Sequence, residues 1–278
     1  QMKKILLATT ALVATTGFAA AEMTWSGSAN VGLKYSDNGT TTVHEEIDLG
    51  MAATGETDGG IGWKVEMGLD SNNTDSTAAG AADVGSVHLS GDFGTIKVGN
   101  VSTAGTSIGL PDVGFDTIGI DDAAEAARNA GGGHNVRWNY AMDDIALDAS
   151  FDTADDDMAI SMKWTSGALS IGVSHAAVGA AGGADATAAS IGTSVGGFAV
   201  NVMAAGNSAD VDSIGMSAAM PVDGLGTVTF VTGSNDTDAK SSWGVGFSKS
   251  LGGGATLAGA YGSANGNDVA DLGIGFSF

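Results

Sequence analysis

The sequence predicts an all-β fold, a transmembrane antiparallel β-barrel of about sixteen strands. Three observations predict it. Beyond residue 21, apolar and polar residues alternate with period two along most of the chain, which is the side-chain period of a strand. The face opposite the apolar one is made of Lys, Glu, Asp, Asn, Ser and Gly, as a water-filled lumen requires. Aromatic residues gather near strand ends, where a barrel meets the two lipid interfaces.

The first residues stand apart. Lys3 and Lys4 precede an apolar run from Ile5 to Phe18, and Ala19-Ala20-Ala21 offers small residues at the cleavage positions. Residues 1–21 read as a secretory signal peptide, with 22–278 as the barrel. Eight of the ten Lys and Arg residues lie beyond it, against 32 Asp and Glu. That balance excludes nucleic acid, which needs clustered cations. The chain has no cysteine, so if exported it is stabilised by a route other than disulfides, such as an extended hydrogen-bonded sheet. Beyond residue 21, no segment stays apolar for the eighteen residues that a membrane helix needs.

Taken in order, Met23 to Tyr35 places Trp25, Gly27, Ala29, Val31, Leu33 and Tyr35 on one face, with Lys34 on the other. Asp37-Asn38-Gly39 turns the chain into Val43 to Met51, where His44, Glu46 and Asp48 take the polar face. Trp63 to Leu69 alternates with Lys64 and Glu66. Val84 to Ser90 is a weaker strand, and Phe93 to Gly99 carries Lys97 opposite Ile96 and Val98. After His134 the pattern resumes with Val136, Trp138 and Tyr140 opposing Arg137. It continues through segments around Leu147, Ile160, Ile171, Ile191, Val200, Met216, Val228, Val245, Leu257 and Ile274. The count is fourteen if the faint strands near Val84, Ala168 and Thr187 do not form. Connections after odd strands read as longer and acidic, as at Thr153–Asp157, Ser234–Lys240 and Ser263–Asp268. Those after even strands read as brief.

A soluble sandwich also alternates, but it would set its aromatics at mid-strand against a second sheet. In lipid an unpaired backbone N–H or C=O costs several kcal/mol, so a sheet there must close on itself.

Val101 to His134 breaks the pattern. It holds Pro111, the glycines Gly131, Gly132 and Gly133, and the acids Asp112, Asp116, Asp121, Asp122 and Glu125 against Arg128. A loop of this length is usually functional. Asp121 and Asp122 also suit the first turn of a short helix over Ala123 to Arg128, and Arg128 suits pairing with a neighbouring acid.

Three stretches resemble the general diffusion porins of Gram-negative outer membranes, most closely the small acidic alpha-proteobacterial kind. They are the segment ending Ala19-Ala20-Ala21, the run Val87-His88-Leu89-Ser90-Gly91-Asp92-Phe93-Gly94-Thr95-Ile96-Lys97-Val98-Gly99, and the terminal Gly273-Ile274-Gly275-Phe276-Ser277-Phe278. The resemblance implies a sixteen-stranded homotrimer in outer-membrane lipid and lipopolysaccharide, with its third outer loop folded into the lumen. Residues 101–134 occupy that loop's place. The expected function is a water-filled channel for ions and small hydrophilic solutes, without enzymatic activity. Its constriction would set the acids Asp112, Asp116, Asp121, Asp122 and Glu125 against the wall bases Lys34, Lys64, Lys97 and Arg137. With acids so dominant, weak cation selectivity is expected. Known general porins carry more wall arginines, so the field here is weaker or the pore wider.

No cofactor or resident metal is expected. Asp155-Asp156-Asp157 and Asn235-Asp236-Thr237-Asp238 suit Ca2+ chemically, but their spacing matches no EF-hand and solvated charge is the simpler reading. His44, with Glu45, Glu46 and Asp48 beside it, has the look of a metal or acid–base cluster; a polar lumen residue is the plainer expectation. The metalloprotease motif H-E-x-x-H does not occur. Gly182-Gly183-Ala184-Asp185 is not repeated, against a calcium-bound repeat protein.

Overall fold

A computed structural model describes residues 22–37, 39–72, 82–128, 133–179 and 183–278. The expected signal peptide, Asn38 of the first turn, the whole β3–β4 connection, Gly131 and Gly132, and Gly182 lie outside the described residues.

The described residues form sixteen strands: β1 (Glu22–Ser36), β2 (Thr40–Glu56), β3 (Gly62–Asn72), β4 (Ala82–Gly91), β5 (Gly94–Val101), β6 (His134–Met142), β7 (Ile145–Asp152), β8 (Asp157–Ser166), β9 (Leu169–Ala177), β10 (Ala186–Val195), β11 (Phe198–Asn207), β12 (Asp212–Val222), β13 (Gly226–Asn235), β14 (Ser242–Gly252), β15 (Ala255–Ala264) and β16 (Asn267–Ser277). Each pairs antiparallel with the next, and β16 pairs with β1, so the barrel is closed. Closure is completed at the last residue: Gly27 N–H donates to Phe278 O at 2.8 Å and Phe278 N–H donates to Gly27 O at 3.0 Å. No edge strand is left to face lipid.

The outward face is apolar around the ring, and Leu33, Val43, Leu69, Ile160, Ile214 and Leu272 are all exposed. Trp25, Tyr35, Phe151, Trp243, Tyr261, Phe276 and Phe278 are exposed at the strand ends, as interfacial girdles require. Trp243 and Tyr261 meet edge to face, with ring centroids 5.9 Å apart.

Short turns close one rim. Between β10 and β11 the whole turn is Gly196-Gly197, with φ of 60° and 88°; a two-residue hairpin of this hand needs positive φ at both places, which glycine adopts without strain. The opposite rim is shorter than the sequence suggests. The β15–β16 connection is only Asn265-Gly266, because β15 runs on to Ala264 and β16 begins at Asn267.

The interior departs from the expectation of a uniformly polar face. Ala188, Met203, Ala205 and Val231 point inward and are buried, together with Ile108, Leu110, Val113, Ile118 and Ile120 of the loop after β5. A second small cluster joins Ala104 to Ala159, Ala176 and Ala186. One side of the lumen is therefore a dry seat, and its occupant is the loop.

Candidate functional site

The chain leaves β5 at Val101 and turns into the barrel rather than away from it. A 3-10 turn at Ala104–Ser107 is capped by Thr103, whose Oγ1 accepts the Gly105 N–H at 3.2 Å. The wall holds this turn by side chains: Ala104 N–H donates to Ser150 Oγ at 2.7 Å, and Ser107 Oγ donates to Ser161 Oγ at 2.6 Å. His134 Nδ1 also lies 2.7 Å from Ser150 Oγ, so the loop's two ends meet on β7.

The loop then crosses to the far wall. Its short helix α1 (Asp122–Glu125) packs on β11, β12 and β13. Ser213 Oγ donates to Ala124 O at 2.6 Å and Asn235 Nδ2 donates to Ala123 O at 3.2 Å. The approach is close enough that a Cβ on Gly215 of β12 would sit 2.4 Å from Ala124 Cβ, so a side chain there would push α1 off the wall. Five large apolar side chains of the loop, Ile108, Leu110, Val113, Ile118 and Ile120, are buried along this path. Each contributes about 1.5–3 kcal/mol of apolar burial against the cost of ordering the segment.

The loop's tip is held by Asp271 on β16. This carboxylate is 5% exposed. Its Oδ2 accepts the Phe115 N–H at 2.9 Å and the Asp116 N–H at 3.1 Å, while Oδ1 accepts the Ala260 N–H at 2.9 Å. Gly114, at φ 112°, brings the backbone down onto it; a Cβ there would lie 2.3 Å from Asp271 Oδ2. In the sequence Asp271 is one polar residue in an alternating strand, and nothing local marks it as an anchor.

The five loop acids take three different positions. Asp112 and Asp122 are exposed to the lumen. Asp112 Oδ1 accepts from Thr117 Oγ1 at 3.0 Å. Asp116 is half-buried and its Oδ2 pairs with Lys34 Nζ at 2.7 Å. Asp121 and Glu125 are buried, so they belong to the docked side of the loop. Asp121 precedes α1 but makes no capping hydrogen bond with its side chain. Burial, and next the neighbouring Asp112, push its carboxyl up to about 7. Burial pushes Glu125 up as well; Arg128 and the Leu110 N–H only partly hold it back. Glu125 and Arg128 form an ion pair, Leu110 N–H donates to Glu125 Oε1 at 2.8 Å, and Arg128 donates to Thr106 O at 3.0 Å. The pair is a brace within the loop.

The wall bases form a row that linear spacing cannot reveal. Lys64 lies directly across from His88, His88 from Lys97, and Lys97 from Arg137. Four adjacent strands, β3 to β6, thus carry a basic band, with His88 as a member that parity counting overlooked. Lys97 is on β5 and α1 rests against β13, which is eight places away around a ring of sixteen. The band and the loop helix therefore occupy opposite walls. Several of the charges are already compensated. Lys64 pairs with Glu66, and His88 Nε2 lies 3.0 Å from Glu66. Arg137 grips Asp148, with Nε 2.9 Å from Oδ1, and reaches Ser102 O at 3.1 Å. Among the described residues Lys97 has no ion-pair partner. Lys34 stands apart from the band, on β1, holding the loop tip.

Among the described residues, two groups of side chains could hold a metal ion: His44 with Glu46 and Asp116, and Glu46 with Asp48 and Asp70. The first joins β2 to the loop tip, a pairing the sequence could not suggest because Asp116 lies far along the chain from His44.

A model of the Gram-negative porin family matches residues 8–278. Solved structures with the same fold include variants of the porin from Rhodopseudomonas blastica. A multiply substituted one aligns with a TM-score of 0.80 at 20% identity, covering 92% of this chain and 100% of that one. A second gives 0.79 at 18% identity, and a third gives 0.78 at 18%, each with the same two coverages. No curated protein sequence matches significantly. With the match extending over nearly the whole chain, this protein belongs to the Gram-negative porin family and is a barrel channel for diffusion across the bacterial outer membrane.

Proposed function

We propose that the channel passes small hydrophilic solutes and ions with a weak preference for cations, and that it carries out no chemistry on them. The observation that carries the preference is the pairing of the wall bases. Lys34, Lys64 and Arg137 each sit against a carboxylate, while Asp112 and Asp122 stand exposed on the loop. Of these four bases Lys97 is then the uncompensated one, set against two open acids on the loop. A field of that sign attracts cations into the narrow section, and low-dielectric walls focus it. Apolar solutes are excluded because they would have to displace ordered water from a charged passage.

The same reading takes the protein to be a homotrimer in contact with outer-membrane lipid and lipopolysaccharide. Small outward residues such as Gly27, Ala29 and Gly259 would let barrels pack closely. Ca2+ at the acidic outer connections would lie outside the conducting path. Single-channel recording of the refolded chain tests these points together. Three equal conductance steps per insertion support the trimer. A reversal potential of cation sign in a salt gradient supports the selectivity, and one of anion sign would overturn it.

A further inference from the structure

We propose that His44, Glu46 and Asp116 form a binding site for a divalent transition-metal ion of the Zn2+ type, joining the barrel wall to the tip of the constriction loop. His44 is 2% exposed. It sits under Phe115, whose ring meets the imidazole edge to face with centroids 5.6 Å apart. Its Nε2 is aimed at two carboxylates, 3.2 Å from Asp116 Oδ2 and 3.7 Å from Glu46 Oε2. Yet among the described residues neither ring nitrogen has a hydrogen-bond partner. A buried imidazole without partners is costly and rare. Here the nitrogen converges with two oxygens on one point.

The spacing suits a metal. Zn–N of about 2.0 Å and Zn–O of about 2.1 Å at a tetrahedral angle separate ligand atoms by about 3.3 Å. The observed 3.2 and 3.7 Å bracket that value. The donor set also selects the class of ion. Ca2+ and Mg2+ take oxygen ligands, whereas an imidazole beside carboxylates suits Zn2+ and its neighbours.

The surrounding charge is accommodating. Lys34 Nζ now pairs with Asp116 Oδ2, but it also donates to Asp116 O at 3.0 Å, so it keeps a partner when an ion takes the carboxylate. Among the described residues, the hydrogen bond that Glu46 Oε2 accepts is a 3.3 Å bond from Asn30. Glu46 and Asp116 are about a fifth exposed, so an ion can arrive from the lumen. Asp48 and Asp70, which with Glu46 make up the second carboxylate group, add attraction along the way.

The test is calorimetric titration of ZnCl2 into the metal-stripped, refolded full chain in detergent near neutral pH. One saturable Zn2+ per chain is expected, weakened at least about tenfold by His44→Gln and by Glu46→Gln and little changed by Asp70→Asn. Absence of saturable binding, or binding that His44→Gln leaves intact, would overturn the proposal. X-ray absorption of the Zn2+-loaded wild-type protein needs no variant: a shell containing one imidazole nitrogen supports the site, and an all-oxygen shell overturns it. Both readouts are made in detergent, so they are independent of whether the pore conducts.

Discussion

Asp271 accepts the Phe115 N–H at 2.9 Å, a bond between the last full strand and a loop 156 residues earlier. It turns an irregular excursion into a fixed partition, because the same oxygen also takes the Asp116 N–H and Lys34 clamps the Asp116 side chain from β1. The loop tip is thereby fastened where the barrel closes on itself.

Asp271→Ala should release that tip. It leaves the Phe115 and Asp116 N–H groups without their acceptor, at about 1–3 kcal/mol per unsatisfied group. The expected result is an intact barrel with a noisier open channel and protease cleavage near 114–117. Wild-type noise and resistance in the variant would mean that Lys34 and the apolar contacts hold the tip unaided.

The seat of α1 can be tested from the wall. Gly215→Val places atoms where Ala124 Cβ already lies, the unsubstituted Cβ position being only 2.4 Å away. The loop must lift, and both conductance and the solute size limit should rise. A control at Gly59 in the β2–β3 turn, where the nearest atom to the Cβ position is Thr57 Oγ1 at 3.9 Å, leaves the loop contacts untouched.

Asp121 gives the docked loop a pH dependence. Its carboxyl ordinarily titrates near 3.8 and is raised to about 7 in place. Below 3.8 both docked and undocked forms are protonated. Between the two values the docked loop holds a proton that the free loop has released, so docking weakens as pH rises and the loss is complete above about 7. Channel flicker should increase from about pH 5 to pH 8, and Asp121→Asn should flatten the profile. An unaltered profile in the variant would assign the titration elsewhere.

Lys97→Ala should shift the reversal potential further toward cations than Arg137→Ala does. Removing Arg137 also bares Asp148 locally but breaks a bond to the loop at Ser102, so its effect mixes charge with loop position. Lys97 has no ion-pair partner among the described residues, and its removal acts on the field alone. Equal shifts would place Lys97 outside the narrow section.

Much of the fold was legible because a strand's period of two needs only local sequence. The sixteen segments, the lumen side of Lys34, Lys64, Lys97 and Arg137, and the position of the loop after β5 all follow from parity and order. What parity cannot supply is register. The row Lys64–His88–Lys97–Arg137 depends on how four strands align. Asp271 and His44 gain their partners only when the barrel closes and the loop enters it. The fate of Asp121 and Glu125 had one overlooked signal: Ile108 and Leu110, and again Ile118 and Ile120, stand two residues apart within the loop. That spacing marks a buried side, on which Glu125 braces the loop through Arg128 and the Leu110 N–H. The inward Met203 and Val231 were the matching signal on the wall.

The most direct measurement is single-channel conductance of the chain lacking residues 114–132. With the loop docked across the lumen, removing this part should raise the conductance and the size of solute admitted, while the barrel remains closed through β1 and β16. Conductance equal to that of the complete chain would contradict the account, because it would mean that the loop does not narrow the path.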